Sequence, residues 1–239
     1  MISRLKLGDV VIDVLFKDIK NVHLSVHPPT GRVRISAPTQ MKLDTVRIFA
    51  ISKLDWIKRQ KKSFKNQERE TLREYSERES HYVWGKRYLL KIKQQDAPPT
   101  IKLQHNQMVM KIRPGTRYDK KAAIVEEWCR NQIRMVAKGL IEKWEPEFGV
   151  GVKQLFVRRM KTKWGSCNPE ARTIRLNTEL AKKPRSFLEY IVIHEMGHLI
   201  EPTHNDRFIS LMNRVMPQWQ SIRSELNRTP LAHEIWVYK

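Results

Sequence analysis

The chain has 239 residues, 40% hydrophobic and 30% charged, and its 46 Lys and Arg against 25 Asp and Glu leave a net charge of +21. Fibrous and disordered classes are excluded by that composition, and a membrane span by apolar runs no longer than four residues, as at 190–193, where about 20 are needed. Two cysteines, Cys129 and Cys167, are too few for a disulfide framework and no apolar signal core opens the chain, so the expectation is a cytoplasmic protein with an anionic substrate, partner or surface.

Residues 9–36 alternate and are rich in β-branched side chains, and Pro28-Pro29-Thr30-Gly31 interrupts them, which predicts a strand and a hairpin. From Leu43 the period becomes helical, and the spacing predicts one long helix to Glu79 whose second half is solvated. Two strand-like runs, 82–93 and 101–112, flank Ala97-Pro98-Pro99-Thr100 and predict a second hairpin. A helix is expected over 118–144, then a strand at 154–160, a glycine-containing loop at 164–168 and a strand at 173–177. A buried helix over 186–200 and a shorter one over 206–216 follow. No internal repeat is visible. The whole reads as an α+β protein in which a β-hairpin-rich N-terminal region, 1–116, with one long helix, packs with a second region, 117–239.

The second region carries the chemistry. His194-Glu195-Met196-Gly197-His198 places two histidines four apart, one helical turn, so both imidazoles reach one ion. Glu195 points beside that ion rather than at it, as suits a base acting on an activated water. Apolar neighbours Leu188, Ile191, Val192, Ile193 and Leu199 bury the motif, and hiding such polar groups is costly unless a metal satisfies them. Pro202 ends the helix near Ile200 and turns the chain, which lets His204 swing back as a third ligand and leaves one open position, the pattern of catalytic zinc sites. Cys167 reads as a small buried residue rather than a fourth ligand. Asp206 could orient a ligand imidazole or favour the N-terminus of the next helix.

The spacing from His194 to His204 equals that of the metzincins, but Glu201 stands where their third histidine is preceded by glycine. The chain resembles more closely the YgjP-like metallopeptidases, relatives of the SprT-like zincins. The matching residues are Lys163-Trp164-Gly165-Ser166-Cys167, Ile174-Arg175-Leu176-Asn177, His194 to His198, His204-Asn205 with Phe208, and Pro217-Gln218-Trp219, strongest over 155–219. The resemblance implies a zincin-like metallopeptidase fold for 117–239, one Zn²⁺ on His194, His198 and His204, and Glu195 as catalytic acid and base. It also implies a substrate-aligning edge strand, 154–160 or 173–177.

Residues 153–185 hold ten basic residues against two acidic ones, and Arg158, Arg159, Lys161 and Lys163 are the candidates for contact with substrate. The function expected is a zinc metallohydrolase, foremost a peptidase acting on a peptide, protein or anionic substrate. A hydrolase of a nucleotide or other phosphate-bearing substrate in a basic cleft is one alternative. A nucleic-acid-associated protein with a protease-like domain is another, with nucleic acid as a secondary partner and no membrane partner.

Overall fold

The structure, a computed structural model, describes residues 2–27, 31–66, 73–160 and 163–229. It divides into two compact units, one within residues 1–70 and one within 71–229.

In the first unit, strands β1 (Ile2–Leu7), β2 (Val10–Lys17), β3 (His23–His27) and β4 (Arg32–Pro38) form a sheet of order β1-β2-β4-β3. The hairpin pairs are antiparallel and β2 runs parallel to β4, with Ile12 opposite Val33 and Val14 opposite Ile35. Those side chains share one face and, with Val46, Ala50 and Ile57, make the core. On the other face of β2, buried Asp13 accepts a hydrogen bond from Arg32 Nε at 2.5 Å. The single helix expected from Leu43 is two, α1 (Leu43–Ser52) and α2 (Leu54–Asn66). Lys53 leaves helical geometry and donates its N–H to the Ala50 carbonyl, while α2 begins its own hydrogen bonds at the Lys53 carbonyl. The expected continuation over 67–72 lies outside the described residues, and 73–79, expected to close the same helix, are not helical but run as loop and turn into the strand that follows.

The second unit opens with β5 (Ser80–Val83), β6 (Lys86–Gln94), β7 (Thr100–Gln104) and β8 (Gln107–Ile112), in the order β5-β6-β8-β7 with β6 parallel to β8. Order and strand senses repeat those of the first sheet. Each run read as one strand contains a tight turn. Trp84 and Gly85 take positive φ of 50° and 76°, and His105 takes 51°, so β5–β6 and β7–β8 are the hairpins.

Helix α3 (Tyr118–Phe148) ends at Gly149, whose left-handed φ of 64° lets its N–H reach the Glu145 carbonyl. A second sheet, β9 (Gln154–Arg158), β10 (Gly165–Asn168) and β11 (Thr173–Asn177), has the order β10-β11-β9, and a 3-10 turn (Thr178–Lys182) follows it. Helices α4 (Arg185–Ile200), α5 (Asp206–Val215) and α6 (Trp219–Arg228) complete the chain described. Leu90, Met108 and Met110 share one core with Ile133 of α3 and Leu188 and Val192 of α4. The division into units therefore falls at 70/71, ahead of the 116/117 expected from the turn at Arg113-Pro114-Gly115-Thr116. The α+β class holds, and no described helix is long and apolar enough to cross a membrane.

Candidate metal centre and active-site cleft

Helix α4 is buried on almost every side, through Phe187, Leu188, Tyr190, Ile191, Val192, Ile193 and Met196. A helix that is apolar all round is held inside its fold, so the polar residues it carries are fixed in place. His194 and His198 lie one turn apart on it. The helix stops at Glu201, which is extended and donates its N–H to the Gly197 carbonyl, and Pro202 turns the chain. Asn205 then caps α5 by accepting from the Phe208 N–H at 3.0 Å. Pinned between a helix stop and a helix cap, His204 returns to the first two histidines.

One nitrogen from each of His194, His198 and His204 lies within 4.8 Å of the others, a group able to hold a metal ion. The Nε2 atoms of His194 and His204 are 3.1 Å apart. Ligands at about 2.0–2.1 Å from a tetrahedral zinc would be separated by about 3.3 Å, so the donor set fits that ion. His198 Nδ1 lies 3.0 Å from the Glu201 carbonyl, which assigns its proton there and leaves the Nε2 lone pair free. Burial foremost, then the charges of His198, His204 and Arg223, pushes the His194 pKa down to about 3. His204 is lowered by the same causes, burial first. Both rings are held neutral, the form that binds a metal.

Glu195 is 5% exposed. Burial raises its pKa to about 8, and the positive charge of Lys163 acts in the opposite sense. Its carboxylate lies directly against β10, since a Cβ on Gly165 would fall 2.5 Å from Glu195 Oε1. Phe208, 1% exposed, forms the wall behind the histidines, stacked on His198 at 4.7 Å and edge-on to His194 and His204. Gly197 makes room for that ring, since a Cβ there would meet Phe208 Cε2 at 3.0 Å.

The cleft over this group is about 370 Å³ and is lined by Lys163, Gly165, Ser166 and Cys167 opposite Glu195 and the three histidines. A larger groove of about 970 Å³, with Ile101, Ile112, Ile124 and Trp128 in its lining, contains none of these residues. Chemistry rather than size marks the smaller one as the candidate site.

The strand beside the histidines is thus β10, read from the sequence as a loop, and neither of the strands expected there. β11 is the sheet's central strand and β9 its opposite edge. Of the basic candidates, Lys163 lines the cleft. Arg158 is exposed at the end of β9, Arg159 lies 3.9 Å from Glu179, and Lys161 falls outside the described residues. Cys167 is partly exposed on the cleft wall, and its thiol pKa is pushed to about 11, by burial and then by Glu195. The parts that sequence reasoning missed are the contacts made by Gly165, Gly197 and Phe208. The only signal for them was that all three belong to the matched motifs.

A family model described as "YgjP-like, metallopeptidase domain" matches residues 20–229. The crystal structure of the metallopeptidase zymogen of Pyrococcus abyssi abylysin is similar at 22% identity, covering 40% of this chain and 99% of that one, with a TM-score of 0.35. That of Methanocaldococcus jannaschii jannalysin is similar at 19% identity over 38% and 92%, with a TM-score of 0.34. No curated protein matches the chain.

Proposed function

Since the chain belongs to the YgjP-like metallopeptidase family, we propose that it is a zinc-dependent peptidase in which His194, His198 and His204 hold the metal and Glu195 is general base and acid. The observation that carries this reading is the convergence of three imidazole nitrogens within 4.8 Å in a cleft that also contains a buried carboxylate. Zinc, when bound, supplies a Lewis acid that lowers the pKa of water towards about 7 and polarises a carbonyl. Glu195 takes the proton of the attacking water and returns it to the leaving amine. Substrate lies extended along β10, which pairs with β11 on one side and forms an edge of its sheet on the other.

Purified protein should carry about one zinc per chain, and Glu195→Gln should keep the metal while lowering kcat by at least about 100-fold. Full activity in that variant would overturn the assignment.

A second reading, hydrolysis of a phosphate-bearing substrate, is favoured by two cations. Lys163 lines the cleft, and the charge of Arg223, whose guanidinium lies over the Trp219 ring, reaches His194 and His204. Neither cation has a carboxylate partner within ion-pair distance among the described residues. Peptides and nucleotides screened side by side, on wild type and Glu195→Gln, separate the two readings.

A further inference from the structure

Beyond its pairing with β11, the edge strand of the cleft is held at its entry by one side chain outside it. Asn177, the last residue of β11, is 4% exposed, and its carboxamide uses both donors and accepts two hydrogen bonds. Its Nδ2 donates to the carbonyls of Met160 and Lys163, each at 2.8 Å. Its Oδ1 accepts from the N–H of Met160 at 3.3 Å and from that of Glu179 at 3.2 Å, where it caps the 3-10 turn. Its own N–H donates to the Trp164 carbonyl at 2.9 Å.

These bonds converge on the two ends of the connection between β9 and β10. Met160 lies two residues beyond β9 and Lys163 two residues before β10. Between Lys163 and β10 there is only Trp164, which the Asn177 backbone also holds. β10 has little tolerance for displacement. A Cβ on Gly165 would lie 2.5 Å from Glu195 Oε1 and 2.8 Å from Ile191, so a shift of a few tenths of an ångström changes the room left to the carboxylate. The same displacement would move Lys163 along the cleft wall.

We propose that Asn177 is a positioning residue of the active site: its carboxamide clamps the entry to β10 and so sets the strand, and Lys163 with it, against Glu195. The proposal rests on the peptidase reading above for its kinetic consequence, and on hydrogen bonding alone for its structural one.

Asn177→Asp is the discriminating variant. It is nearly isosteric and keeps the Oδ1 acceptor that caps the 3-10 turn. It loses both donors, however, and sets a carboxylate oxygen against two carbonyls. In zinc-loaded protein, hydrogen exchange at Trp164 and Gly165 should accelerate by about tenfold or more, while exchange in α3 stays unchanged. Zinc stoichiometry should be retained, and kcat on a peptide substrate should fall by about 10- to 100-fold with KM changed less than about threefold, as misplacement of a catalytic group predicts. Gly165→Ala and Asn177→Asp should be non-additive in kcat, because a released strand can yield to the added methyl group. Should the Asp variant fail to fold, Asn177→Ala removes the same donors with a smaller neutral side chain and is read in the same way. Unchanged exchange at Trp164 and Gly165 would overturn the clamp. Accelerated exchange with unchanged kcat, or strictly additive effects, would overturn the positioning role. A wild type that cleaves no peptide would overturn the peptidase reading instead, and the exchange data would still decide the clamp.

Discussion

A glycine decides how close Glu195 comes to the cleft wall. With no side chain at Gly165, the carboxylate packs on the backbone of β10, and burial there raises its pKa to about 8. Gly165→Ala should therefore cost activity out of proportion to its size. We expect kcat/KM to fall by about 100-fold with zinc content unchanged, because the added carbon competes for the position of the carboxylate. Steady-state kinetics beside metal analysis checks this, and loss of zinc together with activity would show that the glycine serves folding instead. At this scale the sequence was informative about chemistry. Histidines four apart and the adjacent glutamate are read from covalent spacing on one helix, and His204 from the Pro202 turn. It was silent about Gly165, Gly197 and Phe208, whose importance lies in what approaches them from other parts of the chain.

At the scale of elements, the stop of α4 and the start of α5 together place His204. Asn205 caps α5 by accepting from the Phe208 N–H, so the residue next to His204 also fixes the position of the ring behind all three histidines. Asn205→Ala should cost about 1 kcal/mol of stability, the usual value of a cap, and should weaken zinc binding, whereas Asn205→Ser should recover most of both. Chemical denaturation and zinc titration against a competing chelator test the pair. Equal zinc affinity in all three proteins would separate the cap from the site. Helices α3, α4 and α5 were legible because their apolar periods are long and local. The strand β10 was not. Its four residues become a strand only by pairing with β11, Gly165 with Leu176 and Cys167 with Ile174, a partner the local pattern does not announce. The parallel pairing of β6 with β8 was hidden for the same reason, since each strand is joined in sequence to a different neighbour.

For the whole molecule, the titrating groups of the site give the chelator-stripped protein a defined pH profile. The unfolded chain protonates His194 below 6.5 while the folded chain refuses that proton down to about 3, so stability is lost as pH falls through this range. Glu195 acts oppositely. The folded chain keeps a proton that the unfolded chain releases above 4.5, so stability is lost as pH rises towards about 8. The contributions of His194 and Glu195 oppose each other between 4.5 and 6.5, and His204, lowered in the same sense as His194, leaves stability rising with pH there. Melting temperature should therefore be highest near pH 6.5 and fall on both sides, and Glu195→Gln should remove the alkaline fall. Thermal melts in chelator across this range measure it, and a wild-type melting temperature still rising at pH 8 would contradict it.

By itself the sequence determined the α+β class, the ligand set proposed for the metal and the residue proposed as base, because these depend on periodicity and spacing within a few turns of chain. Tertiary structure alone decided which strand borders the cleft, that Lys163 and not Arg158 or Arg159 lines it, and that β5–β8 share a core with α3 and α4. Those outcomes depend on pairing and close packing between segments far apart in sequence, where a missing Cβ or a single carboxamide sets distances that no local pattern encodes.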